Sequence, residues 1–94
     1  MKTDFELYND VDIILQQWSY TEEKLSAMSK LVLLSNKLIY IFAKPSIIAM
    51  ALLELSSERK YIDLRITYKT VFKEIAPSEV SIRKYRKRIR NVIL

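Results

Sequence analysis

Apolar residues in this chain recur mostly three or four positions apart, the spacing of helices that bury one face. Thr3-Asp4-Phe5-Glu6 forms a capping-box pattern, with a glutamate three residues after a hydroxyl cap. The helix it opens carries Leu7, Val11, Ile14, Leu15 and Trp18 on one face and is predicted to end near Ser19 or Tyr20. Thr21-Glu22-Glu23 opens a second helix, with two acids where the helix dipole favours them. Leu25, Met28, Leu31, Val32, Ser35, Leu38, Ile39 and Phe42 keep the helical spacing. The second helix is therefore expected to be long, wide-faced and central.

Pro45 pushes Lys44 out of the helical region and suits the first position of a new helix. Ile47, Ile48, Met50, Ala51, Leu52, Leu53 and Leu55 are apolar nearly all round, so this third helix should be buried. Ala49 and Ala51 are small enough to let the second helix approach closely. From Tyr61 the pattern changes. Ile62, Leu64, Ile66 and Tyr68 alternate with Asp63, Arg65, Thr67 and Lys69, which is strand periodicity in β-forming residues. No other segment alternates, and a lone strand lacks a partner. The expectation is a loop to about Arg65 and a fourth helix from about Ile66 to Ile75. The same alternation would allow residues 62–68 to pair as an edge strand between two copies. Ala76-Pro77 breaks the fourth helix, and Ser78 can cap a fifth.

The fifth helix has the sharpest division of faces. Ile82, Tyr85, Ile89, Val92 and Ile93 line one stripe, while six basic residues fall between Arg83 and Arg90 with no acid after Glu79. One side suits a core and the other a polyanion. These elements predict an all-α fold, a five-helix bundle forming a single domain over residues 1–94. Its last two helices have the short separation of a helix-turn-helix.

Composition narrows the chemistry. The chain has no glycine, cysteine or histidine. Glycine-dependent hairpins and phosphate loops are disfavoured, and disulfides, thiolate or imidazole metal sites and Ser–His or Cys–His catalysis are excluded. An enzyme would have only carboxylates, lysine or tyrosine to use, so a non-enzymatic role with no metal or cofactor is expected. The net charge of +5 is unevenly spread: residues 1–23 hold six acids against Lys2, and the remainder holds fifteen basic residues against five acids. This asymmetry implies an acidic end and a polyanion-facing surface. Early acids and the lack of an apolar run argue against a secretory signal. Lys37, Lys44, Pro45 and Glu54 interrupt the most apolar stretch before it reaches the roughly 20 residues of a membrane span. A soluble, cytoplasmic protein is expected.

Two segments carry a family resemblance. Thr67 to Arg83, and above all Ser78-Glu79-Val80-Ser81-Ile82-Arg83, resembles the closing helix-turn-helix of a cyclin box in the archaeal transcription factor B family. Lys44-Pro45-Ser46-Ile47-Ile48-Ala49-Met50-Ala51-Leu52-Leu53 resembles the Pro-x-x-Ile-Ala-x-Ala-x-Leu helix of the same repeat. The resemblance implies a five-helix cyclin-box-like domain acting in transcription, nucleoid-associated if archaeal. Departures are Ala76 where the turn usually has glycine, Pro77 where an apolar turn residue is usual, and one repeat without zinc-ribbon ligands. The chain is thus expected to be smaller than a complete initiation factor.

On a helical wheel with Ile82, Tyr85 and Ile89 facing the core, Val80 projects almost opposite, beside Arg83, Lys84 and Lys87. In the major groove of double-stranded DNA, Val80 would touch a thymine methyl and Arg83 would pair with guanine O6 and N7. Lys84, Lys87, Arg88 and Arg90 would hold phosphates, and Ser78 with the first-turn amides would hold another. An outward Val80 would equally suit a contact with a partner protein or a neighbouring loop. Arg86, nearer the apolar edge, is expected to pair with an acid of another helix. Trp18, Tyr40, Phe42, Phe72 and Tyr85 are expected in the core, and Lys37, Lys44, Arg59 and Lys60 as ordinary surface charges unless they extend the basic track. Two functions follow: a small DNA-binding regulator, or a non-catalytic accessory subunit of a DNA or RNA polymerase.

Overall fold

A computed structural model of the protein describes residues 3–41 and 43–93. Among them are five α-helices and no strand: α1 (Asp4–Gln16), α2 (Thr21–Leu34), α3 (Pro45–Leu55), α4 (Tyr61–Phe72) and α5 (Glu79–Ile93), with a short 3-10 turn, Leu38–Tyr40, after α2. The capping box is present: the Glu6 amide donates to Thr3 Oγ1 at 3.1 Å, and that hydroxyl reaches Glu6 Oε1 at 3.4 Å. Pro45 occupies the start of α3, preceded by an extended Lys44.

The central helix is α3, not α2. Residues Ile48 to Leu53 are all fully buried, and α1, α2 and α5 all pack on this one rod. A helix apolar on every side can be stable only if neighbours cover every side. The expected long second helix breaks after Leu34. Its buried stripe is Ala27, Leu31 and Leu34, continued by Leu38, whereas Leu25 and Val32 point to solvent. Phe42, expected on the same face, lies outside the described residues, as does the side chain of Ile39.

Residues 61–72 form a helix throughout, which replaces both the expected loop to Arg65 and the edge strand between copies. The expected helical end at Ile75 is also revised: α4 stops at Phe72, and Lys73 adopts a left-handed conformation, φ 57°. The alternation has a simple origin. Leu64 and Tyr68 are buried, one turn apart, while Ile62 and Ile66 form a second pair on the outer side. Two stripes offset by two residues look like a strand when read along the chain.

Residues 73–78 then run back along α4. Ile75 and Ala76 lie beside Arg65, Ile66 and Lys69, and the Tyr61 hydroxyl donates to the Pro77 carbonyl. The start of α5 is thereby fixed near the first turn of α4, and α5 itself packs along α3 and against α2. The connection is six residues, longer than the three or four typical of a helix-turn-helix. No helix among the described residues is long and apolar enough to cross a membrane.

Candidate nucleic-acid interface

Ile82 and Ile89 of α5 are fully buried, and Tyr85, Val92 and Ile93 pack partly against the same core. This anchoring fixes the rotation of the helix and turns its opposite side outward. Ser78 caps the first turn, its Oγ accepting from the Ser81 amide at 3.3 Å and contacting Ser81 Oγ at 3.0 Å. Glu79 follows, where a negative charge complements the helix dipole.

All seven residues singled out from the sequence are exposed: Ser78, Val80, Arg83, Lys84, Lys87, Arg88 and Arg90. Val80 is 79% exposed and lies on one face with Arg83, Lys84 and Lys87. Arg90 falls on one margin of this face and Arg88 on the other, so the structure brings four together and sets two at the edges. The molecule's own acids engage few of these cations. Arg83 Nη2 meets Glu79 Oε1 at 2.8 Å, a pair one turn apart with both side chains more than half exposed. Such a pair contributes about 0.3–0.5 kcal/mol, against about 1–3 kcal/mol of discrimination for a bidentate guanine contact. The molecule itself therefore holds this guanidinium only weakly. Among the described residues, the Lys87 and Arg90 side chains make no hydrogen bond or ion pair.

Arg88 is more constrained. It lies 5.2 Å from the centre of the Tyr85 ring, and its Nη1 donates to the Ile41 carbonyl at 3.4 Å. Lys84 sits over the same ring at 5.5 Å. These contacts leave both side chains at the surface while limiting their sweep. Arg86 takes the structural role expected of it, pairing with Glu54 of α3 across the largest helix contact in the fold.

Two placements were not evident from the sequence. Lys44 lies beside Ser78 and Ser81 in a cleft of about 250 Å³, where the starts of α3 and α5 converge. Its charge thus extends the basic track, although Glu74 lines the same cleft. Tyr68 is also there; burial raises its hydroxyl pKa, the Glu74 charge adds to the rise, and a hydrogen bond with Ser46 opposes it. Proximity across the α3–α5 boundary cannot be inferred from residues more than thirty positions apart.

Other expectations are corrected. Arg59 is not an ordinary surface charge. Its Nε and Nη2 bind the two oxygens of Glu23 at 2.9 and 2.8 Å, its Nη1 reaches Thr67 Oγ1 at 3.3 Å, and its guanidinium stacks 4.0 Å from the Tyr20 ring centre. Tyr40, expected in the core, is 69% exposed because it lies on the outer side of the 3-10 turn. Trp18 is buried as expected and donates its indole N–H to Glu23 at 2.9 Å.

Compared with known proteins, the chain matches no family model, no curated protein and no solved structure.

Proposed function

We propose that the chain is a small, non-enzymatic DNA-binding protein of the transcription factor B-like kind, in which α5 reads the major groove of double-stranded DNA. The observation that supports this best is the outward face of α5: Val80 exposed among Arg83, Lys84 and Lys87, with no carboxylate among the described residues holding the lysines. An apolar side chain amid cations gains nothing from water but matches a thymine methyl beside phosphates. Ser78, Lys84, Lys87, Arg88 and Arg90 would set register on the backbone, and Lys44 would add a contact at the start of the helix. The five-helix count fits a cyclin-box-like domain, with the doubled-back 73–78 segment taking the place of a short turn.

Binding should be salt-sensitive, with log K falling against log salt at a slope of about −0.9 per phosphate contacted. Replacing Arg83 and Lys87 together with glutamate should abolish duplex binding while leaving the helical circular dichroism intact. Unchanged binding by that variant would reject the reading.

A second reading, a non-catalytic accessory subunit of a DNA or RNA polymerase, draws on the exposed Leu25, Val32 and Leu33 of α2. Such residues suit burial against a larger host. Native co-purification separates the two: a stoichiometric polymerase retained at high salt favours the subunit, and recovery with DNA alone favours the regulator.

A further inference from the structure

The outer face of α4 is apolar where a surface helix is ordinarily polar. Ile62 and Ile66 are 53% and 58% exposed and stand one turn apart. Ile75, on the segment that doubles back, is 88% exposed. Ile66 and Ile75 meet at a cleft of about 270 Å³ whose other walls include Arg65 and Lys69. The cleft thus has an apolar floor with cations along the Arg65 and Lys69 side, while the exposed Asp63 lies on the other side of Ile62 and Ile66. Three isoleucines held in water in one neighbourhood mark an interaction surface rather than scattered exposure. Phosphate backbone is a poor occupant, since the two cations would gain from it but the isoleucines would not.

The complementary surface is on the same chain. On α1, Phe5 and Ile13 are 74% and 58% exposed. They project from the side opposite the buried Leu7, Val11 and Leu15, with Glu6 on one flank and Asp12 on the other. The two side chains are separated by about 12 Å along the helix axis, eight residues at 1.5 Å each. Phe5 and Ile13 thus flank the exposed Asn9 on one face with an acid on either edge, and this face lies in the acidic part of the sequence.

We propose that the outer face of α4 docks α1 of a second copy of this chain. Helix packs against helix, Phe5 and Ile13 cover the isoleucines, and the α1 acids face Arg65 and Lys69. The apolar contact supplies the driving force and the opposed rims fix the register. The contact pairs two different surfaces, α1 of one copy with α4 of the next. The uneven charge of the chain then has a use: the acidic end of one copy recognises the basic body of the next. The proposal does not depend on α5 reading DNA, and association is measured without nucleic acid.

Sedimentation velocity of the full chain at low salt is the measurement. The sedimentation coefficient should rise with loading concentration, and the rise should shrink at high salt, where rim charges are screened. Arg65→Glu with Lys69→Glu, and separately Glu6→Lys with Asp12→Lys, should each weaken association about ten-fold or more by placing like charges in register. The chain carrying all four changes restores opposite rims and should regain association. Ile66→Ser should weaken it without altering any charge. Circular dichroism of every variant establishes that it is folded. A wild-type chain that stays monomeric at all concentrations overturns the proposal. So does a folded four-fold variant that fails to regain association, or Arg65→Glu/Lys69→Glu chains that associate normally but lose duplex binding, which would assign the face to DNA.

Discussion

Glu23 and Arg59, thirty-six positions apart, form a two-toothed ion pair that ties the start of α2 to the α3–α4 connection. Trp18 and Ser57 donate to the same carboxylate. Tyr20 covers the guanidinium at 4.0 Å. The turn after α1, the start of α2 and the loop before α4 converge on one carboxylate, and Arg59 carries the link on to Thr67 of α4.

This network predicts acid sensitivity with a definite sign. Burial pushes the Glu23 carboxyl up, but hydrogen bonds from Arg59, Ser57 and Trp18, with the Arg59 charge, outweigh it and hold the pKa below the ordinary value of 4.5. The folded state thus binds the proton less readily than the unfolded chain. Its contribution to stability is complete above pH 4.5 and is lost as pH falls through the lower folded value. Glu23→Gln should cost about 1–3 kcal/mol at neutral pH, the penalty of stranding partly buried partners. Its melting temperature should fall less steeply than that of wild type below pH 4.5. Thermal melts between neutral pH and pH 3 check both points; parallel curves for the two proteins would refute the assignment.

Lys73 predicts a gain. It is the one non-glycine residue with positive φ among the described residues, in a chain without glycine. A left-handed L-residue costs roughly 1–2 kcal/mol relative to the right-handed region. Glycine removes that strain but makes the unfolded chain more flexible, returning about 0.5–1 kcal/mol. Lys73→Gly should therefore stabilise by about 0.5–1 kcal/mol net, measured as a higher urea midpoint at unchanged slope.

Much of the fold was legible in local pattern. The Thr3–Glu6 cap, Pro45 and the single apolar stripe of α5 each mark an element whose interior and exterior differ along one face. The failures share a cause. α2 interleaves the buried Ala27, Leu31 and Leu34 with the exposed Leu25, Val32 and Leu33. α4 interleaves Leu64 and Tyr68 with Ile62 and Ile66. Where a helix carries a second apolar stripe facing water, spacing alone cannot say which stripe is inside. In α4 the two stripes together imitate a strand. The exposed cations of α5 could be read from the wheel, and so could the Arg86 pairing. Lys44 beside Ser78, and Arg59 with Glu23, depend on how distant segments return to one another, which no local spacing encodes.

Neighbours on α5 should separate structure from binding. Arg86 pairs with Glu54 on α3, and both side chains are less than a third exposed. Arg86→Ala strands Glu54 and should cost about 1–3 kcal/mol of stability. Lys87→Ala should change stability by no more than about 0.5 kcal/mol. If α5 grips duplex DNA, Lys87→Ala also lowers affinity across sequences and reduces the salt slope by about 1. Urea unfolding and binding titrations at several salt concentrations provide both readouts.

Val80 gives the most specific prediction. At 79% exposure it has no packing role, so Val80→Ala should unfold at the same urea concentration as wild type, within about 0.5 kcal/mol. Its role on DNA would be contact with a thymine methyl, worth a share of the roughly 1–3 kcal/mol that a mismatched base costs. Once a preferred duplex has been selected from a random pool, replacing one thymine at a time with uracil deletes only that methyl. Wild type should weaken at one position. Val80→Ala should be indifferent to the same replacement, because the group that senses the methyl is gone, while keeping the wild-type salt slope. Loss of affinity that is equal for thymine and uracil sites would instead place Val80 against a protein surface, the other role open to an outward valine.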